Sequence, residues 1–149
     1  MENDGGERVT DAAYRAKRTL QKYEALNREI SAKQACIDRW YESATRATPS
    51  IEAERVSGTG DRSRVESAMI RKMDMEAVLD RKIDQLRKMR FDILNAVDAM
   101  DDPNERAILQ FRYIAGKSWA FIMTKMEIAE RTSFRLHESA LIHFAEIYF

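Results

Sequence analysis

Residues 116–136 read GKSWAFIMTKMEIAERTSFRL, and the way this stretch breaks decides the fold. Ser118 suits a helix N-cap, because its hydroxyl can accept a backbone N–H of the first turn. Trp119, Ile122 and Met126 follow at helical spacing, which predicts a helix from Ser118 to Met126. Only Glu127, Ile128 and Ala129 separate it from a further helix, predicted from Glu130 into the C-terminal residues with Leu136, Ala140, Phe144 and Ile147 buried. Two helices joined by so short a turn follow the grammar of a helix-turn-helix.

Working outward, Asp101-Asp102-Pro103 is the sharpest boundary in the chain. Proline fits the first position of a helix, Asp102 can cap it, and Glu105 stands three residues on, as a capping box requires. A helix over 103–115 is predicted, burying Ile108, Phe111 and Ile114 and ending at Gly116. Upstream, apolar residues recur every three or four positions from Asp11 to about Thr45: Leu20, Tyr23, Leu26, Ile30, Ile37, Trp40 and Ala44, with Lys33 and Gln34 in the one turn that lacks one. That spacing resembles a coiled-coil seam. Pro49 and Ser57-Gly58-Thr59-Gly60-Asp61 mark a loop over 46–62, with a short extended stretch expected at 51–56. A second long helix, about 63–100, carries the seam Val65, Met69, Met73, Leu79, Ile83, Leu86, Ile93, Val97 and Met100, interrupted by Glu76 and Arg90.

The expected fold class is therefore all-α: a long antiparallel, coiled-coil-like helical hairpin followed by a C-terminal three-helix helix-turn-helix module. Residues 1–10 are read as a flexible tail, 11–100 as the hairpin and 101–149 as the module. Two helices cannot enclose a full core, so a homodimer through the long helices is expected, the simplest form being a four-helix bundle.

Composition narrows the function. The 149 residues carry 25 basic and 25 acidic side chains, with five glycines and two prolines. No apolar run of roughly 18 residues exists, so no membrane partner is expected. The polar N-terminus lacks the apolar segment of a signal peptide, and the lone Cys36 suits a reducing compartment, so the expected location is the cytoplasm. No phosphate-binding glycine loop, metal-ligand cluster or nucleophile elbow is found, so no catalysis, no cofactor and no metal is expected. His137 and His143 are six apart and share a helical face poorly, which argues against a metal pair. Trp119 is expected in the core, and the eight methionines as adaptable fillers.

Two segments carry a family likeness. Residues 105–119, with the run Arg112-Tyr113-Ile114-Ala115-Gly116-Lys117-Ser118-Trp119, and residues 130–141, with Arg131-Thr132, Arg135-Leu136-His137 and Ala140-Leu141, resemble the phage-encoded ArpU/RinA-type regulators of late transcription. The C-terminal part of those regulators is similar to the promoter-reading region four of bacterial sigma factors. The resemblance spans most of the chain, but its specific residues lie in about 40 positions at the C-terminal end. It implies a DNA-binding transcription regulator, an activator of phage or prophage late genes acting as an oligomer in a bacterial host, with RNA polymerase as a further partner. This chain departs from the pattern at Glu127, where a glycine is usual, and at Ala129, where a Ser or Thr cap is usual. Loss of the cap costs about 1 kcal/mol, and a side chain in a left-handed turn about 1–2 kcal/mol. Either the module is less stable than its relatives or its turn differs.

On this resemblance the third helix of the module lies in the major groove of double-stranded DNA. Arg131 and Arg135, one turn apart, would read guanine through O6 and N7 or clamp a phosphate. Thr132 would meet a thymine methyl or a phosphate, Glu130 would accept from cytosine, and Glu138 or His137 would reach the flank. Phe134 belongs to the same face, and Lys117 and Ser118 would hold a backbone phosphate. A plainer reading pairs Arg131 and Arg135 with acidic neighbours on a solvated face. Residues 101–149 hold six basic against seven acidic side chains, whereas 11–47 hold eight against five, so the expected interface is not a basic one. That balance leaves two alternatives open. One is a small-terminase-like DNA-packaging component, although such proteins usually place the module before their oligomerisation helices. The other is a protein-binding adaptor that contacts RNA polymerase without reading DNA.

Overall fold

The computed structural model describes residues 4–46 and 59–149. All regular structure among them is helical: α1 (Asp4–Thr45), α2 (Thr59–Asp98), α3 (Pro103–Leu109, running on through a π-turn over Gln110–Ile114), α4 (Trp119–Met126) and α5 (Glu130–Tyr148). Residues 4–10, expected as part of a tail, continue α1 instead, and α2 starts at Thr59 rather than near Ser63. Pro49, the extended stretch at 51–56 and Ser57-Gly58 lie outside the described residues. No helix among the described residues is long and apolar enough to cross a membrane.

α1 and α2 pack against each other as an antiparallel hairpin. The direction follows from the pairing of an earlier α1 position with a later α2 position, and of later α1 positions with earlier α2 ones. Lys82 bridges to Glu29, Arg71 lies over the ring of Trp40, and Lys72 over that of Tyr41. In α1 the expected seam holds: Leu20, Tyr23 and Ile37 are buried, and Leu26, Ile30, Gln34, Trp40 and Ala44 half-buried.

In α2 the first half of the expected seam is on the wrong track. Val65, Met69 and Met73 face solvent, Met73 with 61% of its surface exposed. The inward positions are Ala68, Lys72, Met75, Leu79, Lys82, Leu86, Met89, Ile93 and Ala96. These alternate by four and three residues, an unbroken heptad pattern. Lysine can occupy a seam because its methylene stem covers apolar surface while its ammonium reaches water or a carboxylate. Lys72 does so beside Glu76 at 3.8 Å, and Lys82 beside Glu29.

The chain divides into two compact units, and the division does not follow the boundary expected at residue 100. The first unit joins Met1–Asn27 to Leu86–Phe149, and the second is Arg28–Gln85. Within the first unit, Ala16, Leu20 and Tyr23 of α1 and Ile93, Ala96 and Val97 of α2 share one hydrophobic cluster with Ile108, Leu109, Tyr113, Ile122, Leu141 and Phe144. The C-terminal helices therefore rest on the paired ends of the hairpin. Among described side chains, the second unit buries only Ile37, Ala68 and Leu79.

The module begins as its sequence requires. Pro103 is the first residue of α3, and the Asp102 carboxylate accepts the N–H of Asn104 at 2.7 Å and of Glu105 at 3.4 Å. The return arm of a capping box is not used. Glu105 is instead buried, accepting Ser139 Oγ–H and His143 Nδ1–H, each at 2.6 Å, and so ties α3 to α5. That bond holds the His143 imidazole above its usual pKa. The π-turn closes with Ala115 N–H donating to Gln110 O at 2.9 Å, and Gly116 reverses the chain at φ 64°. Ile147, expected inside α5, is exposed, while Ser133, His137, Leu141 and Ala145 fill that core face beside Ala140 and Phe144.

Candidate nucleic-acid interface

α4, the turn and α5 are positioned by a short set of backbone bonds. Ser118 is extended (ψ 157°), and its Oγ accepts the Phe121 N–H at 3.2 Å. α4 ends in a Schellman motif: Ile128 N–H donates to Met123 O at 3.1 Å and Glu127 N–H to Thr124 O at 3.4 Å. This places Glu127 in the left-handed region, φ 55° and ψ 43°, where glycine would be relaxed. The turn thus has a left-handed shape held without the glycine that favours it. Ala129 has the extended backbone of an N-cap, φ −72° and ψ 159°, but no side-chain acceptor for the first turn of α5.

The core face of α5 is Ser133, His137, Ala140, Leu141, Phe144 and Ala145, so rotation of the helix leaves its other side in water. Glu130, Arg131, Thr132, Phe134, Arg135 and Glu138 are all exposed. Lys117 and Ser118 are exposed at the start of α4, with the Lys117 ammonium 5.0 Å from the centre of the Phe121 ring. Among the described residues, Arg131 and Arg135 make no ion pair, so the plainer pairing with acidic neighbours is not formed. Arg131, Arg135 and Glu138 follow one strip of the helix, and Thr132 lies on its other side. Phe134 sits on the flank nearest α4, where its ring meets that of Trp119 at 5.5 Å between centroids.

His137 does not reach the flank, as was expected of it. It is buried, and its ring packs edge-on to Trp119 at 4.9 Å. The Tyr113 hydroxyl and His137 Nε2 share a hydrogen bond at 2.9 Å. Burial, with Lys17 and Arg112 nearby, pulls the His137 pKa down to about 4. Burial, reinforced by Glu24, pushes the Tyr113 hydroxyl up to about 12. Both groups stay neutral near pH 7 and act as a structural pair.

Sequence reasoning missed two contributors. Arg112 lies over the Trp119 ring at 5.4 Å and donates to Lys117 O at 3.1 Å, bracing the entry to α4. Phe121 is 41% exposed, and its ring packs edge-on to Phe111 at 5.9 Å. Neither has a local signal, because each depends on where the π-turn delivers the chain.

A family model described as "Protein of unknown function (DUF1492)" matches residues 45–144, a span that includes all of α2, α3 and α4 and every residue of this surface. No curated protein and no solved structure matches the chain.

Proposed function

The chain belongs to the DUF1492 family, and we propose that it is a sequence-specific DNA-binding transcription regulator, not an enzyme, that reads duplex DNA with the N-terminal half of α5. One observation carries this reading. A helix-turn-helix backbone presents Lys117, Ser118, Glu130, Arg131, Thr132, Phe134, Arg135 and Glu138 together in solvent, while the opposite face of α5 is locked into the core. Arg131 and Arg135 take the base-reading or phosphate-clamping roles, and Lys117 and Ser118 hold the backbone. The resemblance to ArpU/RinA-type regulators supports a phage or prophage late-gene activator that works beside RNA polymerase.

The second unit supports pairing with a second copy. It buries few side chains of its own and exposes Val65, Met69, Ile70, Met73 and Val78. A dimer would place two modules on one duplex and offset the weak charge of each.

The test is selection from a randomised duplex library followed by gel shift in a salt series. A consensus should emerge. Arg131→Ala/Arg135→Ala should weaken it by roughly 30-fold or more, since each base contact is worth about 1–3 kcal/mol. Absence of any consensus, with no binding at low salt, overturns the proposal and favours a protein-docking surface. That outcome would agree with the slight acidic excess of residues 101–149, six basic against seven acidic side chains. Light scattering that reports a monomer would overturn the dimer separately.

A further inference from the structure

Resting on the DNA-binding reading, we infer that Phe134 is a base-specifying residue which packs on thymine C5-methyl groups in the major groove. From Glu130 to Glu138 it is the one large apolar side chain left exposed, with 48% of its surface in water. Every other exposed residue on that segment is charged or polar, so a solvated helix face alone does not account for a phenylalanine there.

The ring is also held ready. It rests on Trp119 at 5.5 Å, and Trp119 is fixed between the buried His137 ring at 4.9 Å and the Arg112 guanidinium at 5.4 Å. His137 is in turn bonded to Tyr113. A side chain ordered before binding loses little further freedom on contact, which raises the return on a small apolar surface. Arg131 and Arg135 are balanced by Glu130 and Glu138, so phosphate attraction at this segment is weak and an apolar contact adds to what the arginines supply. In the major groove the thymine methyl is the apolar group that base edges present. A planar ring beside the groove-facing arginines therefore selects for thymine next to the positions they read.

The full-length chain is tested with the best duplex recovered from the randomised library, remade with deoxyuridine replacing each thymine in turn. Removing one methyl should weaken binding about fourfold at one or two positions, the factor for about 0.8 kcal/mol of buried methyl surface. The same replacements should change the affinity of Phe134→Ala by less than about twofold, and Phe134→Leu should keep part of the sensitivity. Matching thermal melts would show that both variants are folded, as expected for a half-exposed ring. Uracil tolerance at every position overturns the inference while leaving the DNA-binding reading standing, as does an equal uracil penalty in the native chain and Phe134→Ala. Recovery of no consensus overturns both.

Discussion

Replacing Glu127 by glycine and Ala129 by serine should make this protein more stable, and the turn geometry sets the size of the effect. Glu127 is the one non-glycine residue at positive φ among the described residues, at 55°. A Cβ in that region costs about 1–2 kcal/mol. Glycine removes that cost but widens the unfolded ensemble by about 0.5–1 kcal/mol, leaving a net gain of about 1 kcal/mol. Ala129 already has the extended backbone of a cap, so a serine hydroxyl there needs no rearrangement to accept an N–H of the first turn of α5. That adds about 1 kcal/mol. The two gains sum to about 2 kcal/mol, and a double-mutant cycle measures the coupling between sites only two residues apart. At about 2–4 °C per kcal/mol for a chain of this size, the melting temperature should rise by about 6 °C. The assay is urea and thermal unfolding in a Trp40→Phe background, where Trp119 alone reports on the unit that contains the turn. A Glu127→Gly variant that melts at or below the native temperature would refute the argument that the left-handed turn is strained.

Acidification should destabilise the same unit. The folded pKa of His137, about 4, lies below its usual value of 6.5, so its contribution is intact above pH 6.5 and disappears as pH falls toward 4. The full loss is about 3 kcal/mol, visible as a falling urea midpoint that His137→Gln should flatten. His143 has the opposite sign: its raised folded pKa gives stability present below pH 6.5 and lost as pH rises through the higher value. Glu105→Ala should cost about 2 kcal/mol, because it leaves Ser139 and His143 without their carboxylate acceptor. It should also return the His143 titration, followed by NMR, toward its ordinary range, and an unmoved titration would mean that the bond contributes little.

How much of this was legible depends on the range of the forces involved. The limits of α4 and α5 could be read directly, since Ser118, the three-residue turn and the helical spacing after Glu130 are local signals acting within one turn. The α1 seam was legible for the same reason. The first half of the α2 seam was not, because Met69 and Met73 are more apolar than Ala68 and Lys72, and only contact with α1 decides which of two adjacent tracks turns inward. Glu105 looked like a cap because its spacing from Asp102 is right, yet Ser139 and His143, distant in sequence, offer a buried carboxylate stronger partners.

The amino-acid sequence by itself determined the all-helical class and the helix-turn-helix spacing. Capping, turn chemistry and periodicity are local and need no neighbour to express them. Tertiary structure alone decided that residues 101–149 share a core with the start of α1 and the end of α2 rather than standing apart. It also decided that His137 is a buried strut and that Phe134 is an ordered, exposed ring. Those outcomes rest on apolar surfaces and hydrogen bonds between segments far apart in the chain, where no spacing rule applies.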